Sequence, residues 1–339
     1  MSHLEAPGAD GTSRRLGGLA LAVVLAASFV VVLDFSIVNL ALASIARELD
    51  FSSASLQWVI TAYATTFGGL LILGGALSDR IGRRRTFVAG LLLFTLASAA
   101  GGLAQSGAIL VVARAVQGVG AALVAPAGLA LITTGYREGP ERNRALGLYG
   151  ATASLGFVGG LLLGGVLVQW LGWRSVFFVN VPVGLVAAAI SLRRLPPGGQ
   201  ESRRGALDVV GALLITVAVA ALVYAVSEGQ AAGFAAPDVL LALTLSALAL
   251  AGFVHQERHH PRPLVRFSLL RIPTLRTGNL VTLLVGAWNG GEMIVMSLLL
   301  QQSLHYSPIA TGLLMAPQGA AGLVTGLQGA RLTRWLGLR

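Results

Sequence analysis

The sequence predicts an all-α polytopic membrane protein, and three observations predict it. Only 11% of the 339 residues are charged and 55% are hydrophobic, against about 25% charged in soluble globular domains. Ten apolar stretches approach or exceed the roughly 20 residues that a helix needs to cross a bilayer. The basic residues, 24 in number and every one an arginine, gather between those stretches on alternate sides.

The stretches run over 17–43, 56–78, 86–105, 107–132, 145–169, 175–192, 207–226, 238–254, 277–300 and 309–330. Many are rich in Gly and Ala, which let membrane helices approach closely. With the N-terminus inside, 21 of the 24 arginines fall in cytoplasmic segments, as the positive-inside rule requires. Arg47 and Arg174 fall outside, and Arg114 lies within a span. The net charge of +10 is therefore read as topology and not as a nucleic-acid surface. Polar residues 1–15 lead into an apolar run too long for a cleaved signal core, so the first span is expected to stay as a membrane helix.

Several chemistries are set aside by composition. There is no cysteine for a disulfide or a thiolate metal site. The five histidines show no zinc spacing, no Walker loop is present to bind a nucleotide, and no Ser/His/Asp set can be assembled. The sequence predicts no enzyme, no cofactor and no metal. Its expected partners are the lipid bilayer and a small molecule.

The spans group into six regions. Residues 1–16 form a cytoplasmic tail, 17–192 a six-helix bundle, and 193–206 a cytoplasmic linker broken by Pro and Gly. Two further helices occupy 207–254. Residues 255–276 are basic with apolar residues interleaved, a pattern that suits either the membrane surface or a solvated linker. Residues 277–339 open a second bundle. An internal repeat supports that division. Asp34 in the first span precedes the arginine-rich hairpin at Gly75 by 41 residues, and Glu292 in the ninth precedes a weaker echo, Gly329 to Arg339, by 37. Transporters are built from such parallel repeats. With two spans of the second copy present, the chain is expected to be the N-terminal portion of a longer protein. The alternative is a ten-span product that binds or assembles without transporting.

The hairpin reads GALSDRIGRRRTF from Gly75 to Phe87. Gly82 permits the turn, and Arg80, Arg83, Arg84 and Arg85 hold it on the positive side. Inside the bilayer an ionisable group is costly and so marks a candidate site. Asp34 lies about 26 Å along its helix at 1.5 Å per residue, with Ser36 and Asn39 close by. A carboxylate there could exchange a proton or neutralise a cationic substrate, or simply bond a neighbouring helix. Glu292, beside Asn289, is the matching acid of the ninth span. Arg114 lies about 10 Å into the fourth span and needs an acidic or carbonyl partner. Asn39, Gln57, Gln117 and Asn289 are candidates for a substrate cavity. Gly156, Gly160, Gly164 and Gly165 place small residues at one-turn spacing for close helix packing.

These residues carry a resemblance. Gly75, Leu77, Asp79, Arg80, Gly82, Arg83 and Arg84 fit the Gly-x-Leu-x-Asp-Arg-x-Gly-Arg-Arg loop of the major facilitator superfamily. Arg114, Gln117, Gly118 and Gly120 resemble its fourth-span signature Arg-x-x-Gln-Gly-x-Gly. Gly160, Gly164 and Gly165 match its antiporter signature, with Leu161 where proline is expected. Three further stretches resemble the fourteen-span drug/proton antiporters: Leu33 to Asn39, Trp173 to Gly184, and the pair Leu207-Asp208-x-x-Gly211 and Ser307-Pro308 to Pro317.

The resemblance implies the major facilitator fold, with a complete N-terminal six-helix bundle, two linker helices and the first two helices of the C-terminal bundle. It implies proton-coupled efflux of hydrophobic or cationic small molecules across the inner membrane, with the proton gradient as energy source. Metabolite uptake or export is the alternative that Leu161 keeps open. Asp34, Arg114 and Glu292 would carry coupling, and Asp79, Arg80, Arg83 and Arg84 would form a cytoplasmic latch with Gly75 and Gly82. On this reading Asp34→Asn abolishes coupled efflux and leaves folding intact.

Overall fold

A computed structural model describes residues 16–196, 208–261, 263–265 and 267–335. The tail before residue 16, residues 197–207 of the linker, Arg262, Arg266 and the last four residues lie outside the described residues. Ten long helices follow one another: α1 (Gly18–Glu48), α2 (Trp58–Ile81), α3 (Arg83–Gly102), α4 (Gly107–Gly135), α5 (Pro140–Leu171), α6 (Asn180–Arg194), α7 (Val209–Ala232), α8 (Pro237–His259), α9 (Pro273–Leu298) and α10 (Pro308–Trp335). Among the described residues nine segments are long and apolar enough to cross a membrane, the sixth running Ser175–Arg194 through a one-turn helix into α6. The tenth predicted span is α10.

Helices α1 to α6 pack as one bundle: α4 between α2 and α3, α1 against α5 and α6, and α3 against α6. Its interior has two apolar clusters. One, with Val24, Phe87, Phe94 and Leu131, lies toward the arginine-rich end. The other, with Ile37, Ile45, Val59, Leu110, Trp173 and Phe177, fills the opposite end. Leu96, Leu103, Val112, Trp170 and Leu171 point outward and are exposed, the arrangement expected of a lipid-facing surface. Helices α7 and α8 pair with each other and α7 lies against α2, while α10 lies along α5.

Small residues set how close the helices come. A Cβ on Gly120 would fall 2.8 Å from the carbonyl of Gly90, and one on Gly90 the same distance from the carbonyl of Gly120. Gly74, one residue before the predicted Gly75, is the crossing point of α2 and α4: a Cβ there would lie 2.1 Å from the carbonyl of Ala122. That carbonyl is four residues before Pro126, whose ring nitrogen has no hydrogen to give it. Gly75 itself has only ordinary contact with Pro126.

The glycine row of α5 faces α1 in register. Cβ atoms on Gly156 and Gly160 would meet the carbonyls of Phe29 and Leu33, and one on Gly164 would meet Ile37. Gly165 faces α10 instead, at the backbone of Pro308 and Ile309. Leu161 is fully buried, and its carbonyl seats Gly312 of α10. The position that departs from the expected proline is thus a packing contact between α5 and α10, in an uninterrupted helix.

The hairpin is tighter than its sequence suggests. Gly75–Ile81 belong to α2, Arg83–Phe87 belong to α3, and Gly82 with φ 105° and ψ 135° makes the turn between them. Helices extend beyond the apolar stretches, so the charged residues sit on helical turns. Asp79 and Arg83 are both partly exposed and form an i,i+4 ion pair at 3.9 Å. Arg84 donates to the carbonyl of Leu192 near the C-terminus of α6, where a cation is favoured by the free carbonyls and the helix dipole. Arg84 therefore ties the hairpin to its own bundle.

Candidate functional site

The centre of the bundle is polar. Asp34 of α1 and Arg114 of α4 are both fully buried, and Arg114 Nη1 donates to Asp34 Oδ2 at 2.5 Å. The same Nη1 donates to Gln117 Oε1 at 2.9 Å, and Gln117 Nε2 donates to Asp34 Oδ1 at 2.9 Å. One helical turn of α4 thus presents both a cation and an amide to one carboxylate. Asn180 at the start of α6 adds a third donor, Nδ2 to Asp34 Oδ1 at 2.8 Å, and also reaches Ser98 Oγ of α3 at 3.1 Å. Ser98 in turn donates to the carbonyl of Phe177 at 2.8 Å.

Arg114 is held from two further sides. Its Nε donates to the carbonyl of Val59 at 2.9 Å, and its guanidinium stands 4.3 Å from the centre of the Tyr63 ring. Its Nη2 is buried without a hydrogen-bond partner. Four helices, α1, α3, α4 and α6, and the first turn of α2 converge on this one ion pair. Taking two charges out of water is unfavourable unless their remaining lone pairs and protons are matched. Here they are almost all matched.

The predicted residues distribute unevenly around this centre. Asp34 and Arg114 meet, so the acidic or carbonyl partner that Arg114 needs is Asp34. Gln117, predicted for the cavity, is fully buried inside the network, its amide bonded between Arg114 and Asp34. Asn39 is likewise buried. Its Nδ2 donates to the carbonyl of Phe35 at 2.8 Å, its Oδ1 is buried without a partner among the described residues, and its backbone carbonyl accepts from Ser297 Oγ of α9 at 2.7 Å. Its main chain thus joins α1 to α9. Gln57 is half-buried at the N-terminal edge of α2. Glu292 of α9 is half-buried and accepts from Gln318 Nε2 of α10 at 2.8 Å. Asn289 lies on α9 as predicted, and its side chain is outside the described residues.

Asn180 and Ser98 were missed as members of the site. Asn180 appears in the sequence only as one position of a family stretch, and Ser98 as a polar residue in a Gly- and Ala-rich span. Nothing local links either to Asp34, which is 146 positions from Asn180.

The sequence profile of the Major Facilitator Superfamily matches residues 24–339. The chain is 40% identical to a cephamycin export protein of Amycolatopsis lactamdurans, over 99% of this chain and 69% of that one. It is 43% identical to a puromycin resistance protein of Streptomyces alboniger, over 90% of this chain and 60% of that one. It therefore spans 69% and 60% of the lengths of these two relatives. Among solved structures, a peptide transporter in complex with alafosfalin superposes with a TM-score of 0.70, at 15% identity, over 96% of this chain and 71% of that one.

Proposed function

The chain belongs to the major facilitator superfamily, and on that footing we propose that it carries the coupling site of a proton-driven exporter of small molecules. The proposed orientation puts the N-terminus and the arginine-rich ends in the cytoplasm of an inner membrane, as the arginine distribution favours. The inserted pair α7 and α8 supports placement with the fourteen-span drug/proton antiporters. Relatives named for cephamycin export and puromycin resistance support efflux. The cargo class proposed is hydrophobic or cationic, and the energy source is the proton gradient.

The observation that carries the reading is the burial of Asp34 with side chains of α4 and α6 on its two oxygens. Adding a proton to that carboxylate cancels the charge that Arg114 needs. Losing one partner of a buried pair costs about 3–5 kcal/mol, so the protonated state favours a different arrangement of α1, α4 and α6. Proton binding is thereby linked to helix position, which is what coupling requires. Glu292, bonded to Gln318 between α9 and α10, is the proposed second acid. Asp79, Arg80 and Arg83 remain the proposed cytoplasmic latch with Gly75 and Gly82, while Arg84 anchors it to α6.

The test is drug-driven proton release from everted vesicles, measured with a pH-sensitive dye at matched protein levels. Asp34→Asn should abolish the response. An unchanged response would remove Asp34 from the mechanism. Metabolite transport by the same fold would show as substrate-driven proton movement with metabolites and none with cationic drugs.

A further inference from the structure

Arg174 is one of two arginines that depart from the cytoplasmic pattern, and its contacts account for its place. It lies in the turn between α5 and α6, at the end of the bundle opposite the arginine-rich hairpin. Glu48, the last residue of α1, grips that turn with both oxygens. Its Oε2 accepts from Trp173 Nε1 at 2.7 Å, and its Oε1 pairs with Arg174 Nη1. Arg174 Nη2 also donates to the carbonyl of Ala104, just past α3, at 3.2 Å. The guanidinium of Arg174 stands 4.4 Å from the centre of the Trp173 ring. The Glu48 and Arg174 side chains are 51% and 37% exposed, so their ion pair adds little stability of its own. What it fixes is the position of Trp173, which is sealed into the bundle.

The turn leads straight into the network around Asp34. After it come the one-turn helix Ser175–Phe178 and then Asn180 at the head of α6. Trp173 meets Phe177 edge to face, 6.0 Å between centres. Phe177 is fully buried, with its ring 5.9 Å from the Arg114 guanidinium and its carbonyl accepting from Ser98 Oγ at 2.8 Å. Asn180 Nδ2 bonds both Ser98 Oγ and Asp34 Oδ1, while its own Oδ1 has no hydrogen-bond partner among the described residues. The amide is therefore not steered from its oxygen side, and the backbone of residues 173–180 sets where its nitrogen points. Helix α1 grips that segment twice, with Glu48 at its start and Asp34 at its end, about 21 Å apart along the helix at 1.5 Å per residue. On its other side the segment lies against α3, where a Cβ on Gly101 or Gly102 would meet the rings of Phe177 and Phe178 at 3.1 and 2.9 Å.

We propose that Glu48 is a positioning residue for the buried ion pair: by holding Trp173 and Arg174 it fixes the segment that aims Asn180 at Asp34. Without the Glu48 carboxylate the turn loses both bonds that the end of α1 gives it, and Asn180 moves off Asp34 Oδ1. Arg114 and Gln117 then hold Asp34 from α4 alone. Arg47, the neighbour of Glu48, has no part in this, because its Nε bonds the carbonyl of Ala43 in its own helix at 3.2 Å. The positioning follows from these contacts, and its consequence for transport rests on the coupling reading of Asp34.

Labelling of Asp34 by dicyclohexylcarbodiimide tests this on the full chain in lipid vesicles. Mass spectrometry reads it on the tryptic peptide 16–47, in which Asp34 is the one acid. A carboxylate bonded by three donors is shielded, so the wild type should label weakly. Glu48→Gln should raise labelling about tenfold, as the loss of a hydrogen bond to a charged group implies. Trp173→Phe, which keeps a ring and removes the N–H, should do the same. Asn180→Ala should reach the same level, and adding Glu48→Gln to it should change nothing further. Gly147→Ala, far from the turn, should match the wild type. Wild-type labelling in a folded Glu48→Gln or Trp173→Phe overturns the proposal, and so does a gain that adds to that of Asn180→Ala. If one variant fails to fold by circular dichroism, the other decides. Labelling needs no transport, so a wild type without drug-driven proton release overturns the coupling reading of Asp34 and leaves this test intact.

Discussion

Asn180 of α6 and Asp34 of α1 are joined at 2.8 Å, and Asn180 shares the oxygen it bonds with Gln117 of α4 at 2.9 Å. A single carboxylate therefore registers the positions of two helices besides its own, while its other oxygen holds Arg114. The ion pair is not an isolated charge contact between two spans. It is the point where the first, fourth and sixth helices of the bundle are tied together, and that arrangement generates the following expectations.

Asp34→Asn is expected to weaken folding as well as transport, which revises the expectation from sequence that the fold stays intact. The substitution leaves Arg114 buried without a counter-charge, at a cost of about 3–5 kcal/mol. Adding Arg114→Gln to Asp34→Asn should recover part of that loss. Thermal unfolding in detergent reads both, and a double variant less stable than the single would contradict the pairing.

Asn180→Ala should lower stability by about 1.5–3 kcal/mol, the worth of a hydrogen bond to a charged group. Ser98→Ala should lose less, because it reaches Asp34 only through Asn180. Equal melting points for Asn180→Ala and wild type would show that Asn180 does not hold the carboxylate.

Two glycines of α5 should respond in opposite directions. A Cβ on Gly160 would fall 1.9 Å from Ser36 Oγ and 2.8 Å from the carbonyl of Leu33, whereas one on Gly147 meets nothing within 4 Å. Gly160→Ala should part α1 from α5 and cost about 1–3 kcal/mol. Gly147→Ala should be neutral or gain about 0.5–1 kcal/mol from helix propensity. Melting curves of the two variants side by side decide it.

Gly82→Ala should strain the hairpin, because φ 105° with ψ 135° belongs to backbone space that only glycine enters easily. A cost of about 1–3 kcal/mol is expected, seen as faster protease cleavage between α2 and α3. Cleavage at the wild-type rate would mean that the turn relaxes to another conformation.

The sequence by itself determined the membrane class, the order of the helices and the acid–arginine chemistry of the centre. Those features are local: apolar length makes a span, arginine position orients it, and a charge inside a span demands a partner. Asp34 and Arg114 were legible because each is anomalous where it stands. What only the tertiary structure decided is which polar groups satisfy which. Gln117 and Asn39 read as cavity residues from sequence; in the fold Gln117 closes the ion pair, and the Asn39 side chain bonds the carbonyl of Phe35 while its main chain meets α9. Asn180 and Ser98 enter the site through contacts between helices distant in the chain. Hydrogen bonds of buried side chains depend on helix rotation and spacing set by glycine contacts such as Gly90 with Gly120, and no single span carries that information.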